Sequence, residues 1–356
     1  NTFSNHAARH LYHSASATPS YSGNTFTGAG GLAVTVGGGN LSGDITWPPI
    51  DGLGATYVLL GDVTIASDSA LHLPAGVIVK GQGATVDIYV SGTLDVQGTA
   101  EQPVVFTSYR DDTYGGDTNG DGVSTPAPFD WGVISIRNSA NTFDYALVQY
   151  AAYGVEIINA SPTIAHNTFR YNQRGIALGS GLPLIIENAI YDNQVYGVHN
   201  ASTQTVLAES NWWGDASGPY HPTLNPDGLG DPVSDYVDFT PWLTAHPDSP
   251  ALQVTPTALD FGEVATEMTF EIANAGGGTL HWTIEEQTTW LGARSAAGDT
   301  SDDGIYTGSD DETITVIVGR SGLQEGLYSA DITVTSDGGS ATVRVQMVVG
   351  PVRGSI

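Results

Sequence analysis

The chain has 356 residues and a formal charge of −28, because 38 acidic residues face 10 basic ones, and Lys80 is its single lysine. Nucleic acids and anionic membrane surfaces are bound through clustered lysine and arginine, so this composition excludes both as favoured partners. Cysteine is absent, which excludes disulfides and thiolate metal sites. The chain also lacks an apolar run of about 18 residues, so membrane insertion is not expected.

A repeated segment predicts a solenoid. The tripeptide Asn-Thr-Phe or a variant of it begins at Asn1, Asn24, Asn167, Asn188 and Asn211. Asn1 and Asn24 lie 23 residues apart, and Asn167, Asn188 and Asn211 follow one another at 21 and 23 residues, with alternating apolar and polar residues between the copies. This period accommodates three short strands with their turns, and the 45 glycines and 18 prolines are typical of a turn-rich all-β chain. We therefore predict an all-β, three-sided parallel β-helix with an asparagine ladder at one corner, formed by Asn167, Asn188 and Asn211.

The predicted β-helix covers residues 1–245. Residues 1 to about 43 hold two turns of the solenoid, hereafter rungs, and residues 57–108 continue as short alternating strands. A loop at 109–130 interrupts the rungs, which resume up to Trp213. The segment at about 214–245 is rich in proline, glycine and aspartate, and we predict that it caps the open edge of the last rung. Its aspartates, including Asp231, are interpreted as solvated loop residues.

The first rung opens at Asn1 with no visible cap. An uncovered strand edge recruits another strand, so we expect either further residues upstream in a longer protein or end-to-end stacking of β-helices into a fibre.

Three stretches resemble the right-handed parallel β-helix modules of large bacterial and archaeal surface proteins. These are VIVKGQGATVDIYVSGTLDVQGTAEQPVVFTSYRDD, the loop GGDTNGDG, and the closing NWWGDASGPYHPTLNPDGLGDPVSDYVDFTPWL. The resemblance spans nearly all of residues 1–245 and implies an extracellular or cell-surface location. The broader superfamily contains carbohydrate-binding proteins and sugar hydrolases or lyases, so the resemblance implies the fold more closely than the activity.

A second domain is predicted over residues 251–350. There the period disappears, and about seven alternating strands within roughly 100 residues are typical of an immunoglobulin-like β-sandwich. The stretches NAGGGTLHWTIEEQTTWL and VIVGRSGLQEGLYSADITVTSDGGSATVRVQMVV resemble the BACON family, with Trp282 and Trp290 at its recurrent aromatic positions. The resemblance implies an association with carbohydrate-active and surface proteins. We interpret the two tryptophans as a core pair, and a sugar-stacking platform is the alternative.

The loop at 109–130 carries the clearest chemical motif. Its Asp-x-Asn-x-Asp-Gly pattern at 117–122 reproduces the first half of an EF-hand calcium loop but lacks the terminal glutamate. The predicted ligands of a structural calcium ion are Asp111, Asp112, Asp117, Asn119, Asp121 and Asp130. The alternative is an unliganded turn whose aspartates and asparagine bond to the backbone. Calcium would pin the loop, because clustered carboxylates repel one another unless a cation joins them.

Residues that face one another across neighbouring rungs define the remaining candidates. His166 beside Glu187 is the only acid/base pair at one-rung spacing, and we interpret it as an exterior ion pair. Arg110 beside the acidic loop is a weak candidate for a lyase base.

A stripe of stacked tyrosines interleaved with polar residues predicts a glycan-binding surface, since sugars offer CH faces to rings and hydroxyls to polar groups. Its residues are Tyr150, Tyr153, Tyr171, Tyr191, Asp192 and Tyr196. Sequons that fit surface glycosylation begin at Asn40, Asn159 and Asn200.

These patterns favour a non-catalytic extracellular surface, adhesion or structural protein. Its β-helix stalk would be stabilised by calcium, and carbohydrate would be its possible ligand. The alternative is a polysaccharide-active lyase or glycoside hydrolase, or the substrate-targeting region of one. An enzyme is expected to show a cleft with paired carboxylates, or calcium beside a basic residue.

Overall fold

In a computed structural model of the chain, every regular element of the described residues is a β-strand, which confirms the all-β prediction. The structure describes residues 2–4, 11–17, 21–27, 33–285, 288–295 and 305–350. The chain divides into two compact units, Asn1–Pro247 and Asp248–Ile356.

The strands of the first unit are short, as its period requires. They are β1 (Thr2–Ser4), β2 (Leu11–His13), β3 (Thr25–Thr27), β4 (Val34–Val36), β5 (Gly39–Leu41), β6 (Asp44–Thr46), β7 (Thr56–Leu59), β8 (Val63–Ile65), β9 (Ala70–Pro74), β10 (Ile78–Gly81), β11 (Ile88–Val90), β12 (Thr93–Gln97), β13 (Val104–Ser108), β14 (Trp131–Ile136), β15 (Thr142–Asp144), β16 (Ala146–Gln149), β17 (Ala151–Ile157), β18 (Thr163–Ala165), β19 (Thr168–Arg170), β20 (Arg174–Leu178), β21 (Leu184–Ile186), β22 (Ala189–Tyr191), β23 (Tyr196–Asn200), β24 (Val206–Leu207) and β25 (Val237–Asp238).

These strands wind into a solenoid of about 8 turns, which confirms the β-helix prediction. One side is the parallel sheet β2-β4-β7-β10-β13-β16-β19-β22, and the next is β5-β8-β11-β14-β17-β20-β23. The third side consists of β6-β9-β12 and of β15-β18-β21-β24-β25. The predicted repeat at the start of the chain is confirmed between β1 and β3, where Phe3 pairs with Phe26. Asn1 lies outside the described residues, and end-to-end stacking stays a prediction.

Side chains alternate along each strand between the inside and the outside of the solenoid. On the first side, Val79, Phe106, Val148, Phe169 and Ile190 follow one another in register and are buried in the core. The positions one residue later face outward and form what we call the outer column, which consists of Lys80, Thr107, Gln149, Arg170 and Tyr191. This column carries most of the chemistry described below.

The predicted asparagine ladder is present. The backbone N–H of Asn167 donates to Oδ1 of Asn188 at 2.9 Å, and that of Asn188 donates to Oδ1 of Asn211 at 2.9 Å. Each side-chain amide also donates to the next Oδ1 at 3.0 Å. All three side chains are buried, so the ladder satisfies turn groups that water cannot reach.

A second ladder, which the sequence analysis missed, occupies the next corner. The side-chain amide of Asn172 donates to Oδ1 of Asn193 at 3.0 Å, and the amide of Asn193 donates to Oδ2 of Asp231 at 2.7 Å. Asp231 comes from the cap and is only 8% exposed, so its interpretation as a solvated loop residue is wrong. Its carboxylate ends the ladder as an acceptor. Burial raises the pKa of Asp231 to about 7, although the donors from Asn193 oppose this.

The substitution Asp231→Asn is expected to remove a pH dependence from the stability of the β-helix. The folded pKa of about 7 exceeds the ordinary value of 3.8, so the stabilisation from this group is complete below pH 3.8 and is lost as the pH rises through 7. At pH 8 the variant is expected to unfold with a free energy about 2 kcal/mol higher than the wild type. Urea unfolding at pH 5 and pH 8 measures this, with exposed Asp227→Asn as the control. A variant that is less stable at pH 8 would contradict the assignment.

The predicted cap segment pairs with the last rung. Val237 pairs with Val206 of β24, and Val233 forms a parallel bridge to Val198 of β23. The backbone N–H of Ala208 donates to the carbonyl of Asp238 at 2.7 Å. The strand edges of the last rung are therefore paired with backbone from the same chain.

The second unit is antiparallel apart from one pairing. Its strands are β26 (Leu252–Thr255), β27 (Ala258–Asp260), β28 (Glu267–Asn274), β29 (His281–Glu285), β30 (Leu291–Ser295), β31 (Ile305–Ser309), β32 (Glu312–Val318), β33 (Gly326–Ser336) and β34 (Gly339–Val349).

Two sheets, β26-β28-β32-β30 and β27-β34-β33-β29-β31, build this unit, and they fit the predicted immunoglobulin-like domain. Trp282 is 2% exposed in its core, so the core interpretation of this residue is confirmed. Trp290 is half-buried, and its ring meets that of Tyr328 edge-on at 6.1 Å.

Candidate functional site

The loop at 109–130 leaves the first side of the solenoid after β13 and folds back over the outer column. Its anchor is Lys80, whose side chain is fully buried. The Lys80 ammonium donates to the carbonyl of Asp111 at 2.7 Å, to the carbonyl of Gly116 at 2.8 Å and to Oγ1 of Thr118 at 3.1 Å. Burial lowers the pKa of Lys80 to about 8, opposed by the nearby carboxylates, so the group is mostly protonated at pH 7. The sequence analysis did not assign Lys80 a role.

Asp111 ties the same loop to the sheet through its side chain. Its Oδ2 accepts hydrogen bonds from Oγ1 of Thr107 at 2.6 Å and from Nε2 of Gln149 at 2.7 Å. Its Oδ1 accepts from the backbone N–H of Thr113 at 3.1 Å. The side chain is 1% exposed. Asp111 is therefore a buried structural residue between the loop and the outer column.

The other predicted calcium ligands bond mainly to the protein. Asp117 accepts from the backbone N–H groups of Gly120 at 2.6 Å and of Gly122 at 3.1 Å. The Asn119 amide donates to Oδ2 of Asp121 at 2.8 Å. Oδ2 of Asp130 accepts from the Ser108 hydroxyl at 2.8 Å and from the Ala127 N–H at 3.0 Å. These contacts are those of the unliganded turn that was the alternative to calcium.

The described residues include no group of three or more His, Cys, Asp or Glu side chains placed to hold a metal ion. One observation favours a bound cation: Oδ1 of Asp112 is buried without a hydrogen-bond partner. Calcium binding stays a prediction of the sequence, and Lys80 supplies a positive charge at the loop without it.

A polar groove of about 480 Å³ lies beside the loop. Its lining residues are Gly81, Gln82, Gly83, Ala84, Ser108, Tyr109, Arg110, Asn119, Asp121, Phe129 and Asp130. Phe129 is 51% exposed and has a φ of 73°, an unfavourable backbone conformation for a bulky residue. Arg110 is largely exposed, and its guanidinium lies 3.9 Å from the Asp130 carboxylate. The groove thus combines an exposed ring, a cation, an amide and two carboxylates.

Arg170 contacts two of the predicted tyrosines and one tyrosine from the loop. Its Nε donates to Oε1 of Gln149 at 2.9 Å, and its two terminal nitrogens contact the hydroxyls of Tyr191 at 3.3 Å and Tyr114 at 3.4 Å. The guanidinium also lies 5.4 Å from the ring centre of Tyr171. We call Tyr114, Gln149, Tyr150, Arg170, Tyr171 and Tyr191 the Arg170 cluster.

Tyr150 and Tyr171 stack on neighbouring rungs, with ring centres 5.7 Å apart and an angle of 13° between the rings. Both have left-handed backbone conformations, with φ of 63° and 54°, as does Asp192 on the following rung with 56°. Burial raises the pKa of Tyr150, and the Asp111 carboxylate adds to this effect. The backbone N–H of Asp130 donates to the carbonyl of Tyr150 at 3.0 Å, so the groove and the Arg170 cluster share one corner.

Tyr153 and Tyr196 belong to a different group beyond the second asparagine ladder. They flank Arg174 in register on β17, β20 and β23, and the Arg174 guanidinium lies 5.0 Å from the ring centre of Tyr153. Nε of Arg174 is buried without a hydrogen-bond partner. The predicted stripe is therefore two groups of tyrosines, each around one arginine, on either side of a corner.

Family models match both units. Residues 52–154 match the model described as a pectate-lyase like beta helix domain, and residues 251–349 match the model described as a viral BACON domain. The chain is a β-helix module followed by a BACON domain. Such domains are typical of secreted or surface proteins and fit a surface or carbohydrate-related protein.

Two solved structures show limited similarity to the chain. A protein of unknown function from Porphyromonas gingivalis W83 is 20% identical over 35% of this chain and 60% of its own, with a TM-score of 0.23. The periplasmic chaperone SfaE is 12% identical over 29% of this chain and 59% of its own, with a TM-score of 0.19. The chain thus spans less than two thirds of either relative. No curated protein matches it.

The predicted acid/base pair of the β-helix module forms on its exterior. Nε2 of His166 lies 2.7 Å from Oε2 of Glu187, and its Nδ1 lies 2.9 Å from Oδ1 of Asp144, a contact that sequence analysis missed. The imidazole also stacks on the Tyr145 ring at 4.9 Å. The side chain of His166 is 40% exposed and that of Glu187 is 52% exposed, so the exterior ion-pair interpretation fits this arrangement.

The three sequons of the β-helix module differ in accessibility. Asn40 and Asn159 are exposed. Asn200 is 6% exposed, and its amide nitrogen donates to the carbonyls of Gln204 and Tyr236 at 2.8 Å each. Asn200 is therefore not an available glycosylation site in the folded module, which corrects the sequence-based expectation. The described part of the chain contains no helix long and apolar enough to cross a membrane.

Proposed function

We propose that the chain is a non-catalytic glycan-binding protein of an extracellular or cell surface, and that the Arg170 cluster is its main binding surface. The observation that carries the proposal is an arginine held by an amide and two tyrosine hydroxyls, with a third tyrosine ring beside it. Tyrosine rings stack on the CH faces of sugars, while guanidinium and phenol groups bond to sugar hydroxyls.

Preorganisation supports this role. The Arg170 guanidinium is already oriented by Gln149, Tyr191 and Tyr114, so little side-chain entropy remains to be lost on binding. Stacking of neighbouring rungs places the Tyr150 and Tyr171 ring centres 5.7 Å apart along the solenoid, which suits an extended chain molecule. The shared corner would let a glycan continue from the Arg170 cluster towards Phe129 and Arg110 in the groove.

The groove also favours a second candidate function, a polysaccharide-active enzyme. Asp121 and Asp130 both line it, and the Arg110 guanidinium lies 3.9 Å from the Asp130 carboxylate; such an enzyme needs two carboxylates across a cleft. Asp130, however, is engaged by the Ser108 hydroxyl and the Ala127 N–H. We therefore prefer binding without cleavage.

The Tyr171→Ala variant is expected to weaken polysaccharide binding about tenfold, because it removes an exposed ring worth about 1.4 kcal/mol. Affinity gel electrophoresis with xylan, galactomannan, dextran and polygalacturonate measures the effect. Arg170→Gln is expected to weaken binding at least as much, since Gln149 and two tyrosine hydroxyls lose their shared partner.

Tyr236→Ala is the matched control. Tyr236 is 48% exposed with a φ of 61°, against 36% and 54° for Tyr171, but it lies in the cap. The control is expected to bind like the wild type. The proposal fails if no polysaccharide retards the wild type, or if all three variants bind equally well.

A further inference from the structure

A pocket of about 360 Å³ lies between the last rung and the cap, away from the Arg170 cluster. Its lining residues are Val195, Tyr196, Tyr220, His221, Pro222, Pro232, Val233, Ser234 and Asp235. This volume is at the lower end of the range for small-molecule sites. Tyr196 contributes to it from β23, so the column of Tyr153, Arg174 and Tyr196 leads into the pocket.

His221 gives the pocket a fixed hydrogen-bond donor. The side chain is 2% exposed, and its Nδ1 accepts from the backbone N–H groups of Leu224 at 3.1 Å and Thr223 at 3.3 Å. An imidazole whose Nδ1 accepts carries its proton on Nε2. Nε2 lies 3.3 Å from Oδ1 of Asp235, whose side chain is 83% exposed. The pocket therefore presents a buried donor beside a carboxylate acceptor that is open to solvent.

The walls and the charge of the pocket narrow the ligand class. Tyr220, which is 42% exposed, and Tyr196 supply aromatic surface, and two prolines supply apolar edges. Arginine and lysine are absent from the lining residues, and Asp235 is their one acidic member. An anionic ligand would be repelled by the Asp235 carboxylate. A neutral sugar can donate two vicinal hydroxyls to that carboxylate and pack its CH face on a tyrosine ring.

We propose that this pocket is a second binding site of the β-helix module, and that it takes a neutral mono- or disaccharide unit. The site does not depend on the Arg170 cluster, because the two share none of their residues. Tyr220 is the stacking platform, and Asp235 accepts hydrogen bonds from two sugar hydroxyls. His221 is a positioning residue that holds Asp235.

Saturation-transfer difference NMR on the full chain tests the site with glucose, galactose, mannose, xylose and N-acetylglucosamine as neutral probes and galacturonate as the anionic probe. At least one neutral sugar is expected to bind, and galacturonate is expected to bind at least tenfold more weakly. Tyr220→Ala and Asp235→Asn are each expected to weaken the neutral sugar about tenfold. Tyr220→Phe, which keeps the ring, is expected to stay within about threefold of the wild type.

Tyr171→Ala separates this proposal from the one above, since it is expected to leave monosaccharide binding unchanged. Loss of binding in Tyr220→Ala and Asp235→Asn with retention in Tyr171→Ala supports the pocket, whatever the Arg170 cluster does with polysaccharides. Because the Asp235 side chain is 83% exposed, its substitution is not expected to unfold the chain, and a thermal melt of each variant checks this directly. The proposal is overturned if no neutral sugar binds, if galacturonate is preferred, or if Asp235→Asn binds like the wild type.

Discussion

The Lys80→Met variant is expected to lose about 2 to 4 kcal/mol of unfolding free energy. Methionine keeps much of the buried volume but leaves the carbonyls of Asp111 and Gly116 and the hydroxyl of Thr118 without their donor. It also removes the only lysine beside the acidic loop. Urea unfolding measures the loss, and limited proteolysis is expected to show earlier cleavage within 109–130.

Arg110→Met is the matched control for this substitution. Arg110 lies at the entry of the same loop, but its side chain is 61% exposed and its one carboxylate contact is at 3.9 Å. An exposed ion pair of this kind contributes little, so the control is expected to stay within about 0.5 kcal/mol of the wild type. Equal losses for the two variants would contradict a specific anchoring role for Lys80.

Lys80→Met and Arg110→Met also test the calcium prediction. If calcium is the main cation of the loop, the wild type will melt several degrees lower with a chelator than with calcium, and Lys80→Met will resemble Arg110→Met. If Lys80 is the main cation, calcium and chelator will give the same melting temperature. Isothermal titration of the wild type with calcium completes this comparison.

The Asn188→Ala variant is expected to lose about 3 kcal/mol or more, because Asn188 is the middle member of the first ladder. Its amide donates to the carbonyls of Ile164 at 2.8 Å and Ile186 at 3.0 Å, as well as to Asn211. Its Oδ1 accepts from both the backbone and the side chain of Asn167. Alanine leaves the buried N–H of Asn167 without its acceptor and removes the side-chain donor to the carbonyls of Ile164 and Ile186.

Amide hydrogen exchange locates the damage in this variant. The N–H of Asn167 loses its acceptor and is expected to exchange much faster, whereas amides of the BACON domain keep their rates. Asn40→Ala is the control, since Asn40 is exposed in a strand and its substitution should cost less than about 0.5 kcal/mol. A ladder variant as stable as this control would contradict the role given to the ladder.

The uniform period made the first ladder predictable, and its interruption hid the second. Asn167, Asn188 and Asn211 recur at 21 and 23 residues, so sliding the sequence by one period aligns them. Asn193 and Asp231 are 38 residues apart, because part of the cap lies between them. The last member of the second ladder is also an aspartate and not an asparagine. No shift of the sequence by one period brings Asp231 into line, so its burial was visible only in the fold.

The contacts of the loop at 109–130 could not be predicted from its own sequence either. The calcium motif counts oxygens along 111–130, but Lys80 enters from a strand 31 residues before Asp111. A cation supplied by the outer column has no signature within the loop itself. The same holds for Tyr114, which reaches Arg170 across 56 residues.

The sequence analysis assigned all of the stripe tyrosines to one surface. Arg170 pairs with Tyr191 and Tyr153 precedes Arg174 on the next rung, as the period indicates. The corner at Asn172 turns the chain between these two columns. Period alone gives the height of a residue along the solenoid, whereas the side on which it lies depends on where each corner falls.

The most direct test of the central claim is mass spectrometry of the glycan recovered from its complex with the wild-type chain. Each polysaccharide that retards the chain would be digested to defined oligosaccharides, incubated with the chain, captured with it and released. Binding without catalysis predicts that the recovered oligosaccharides keep their original masses. Shortened products, or products lighter by one water at a new unsaturated end, would show hydrolysis or elimination and would contradict the account.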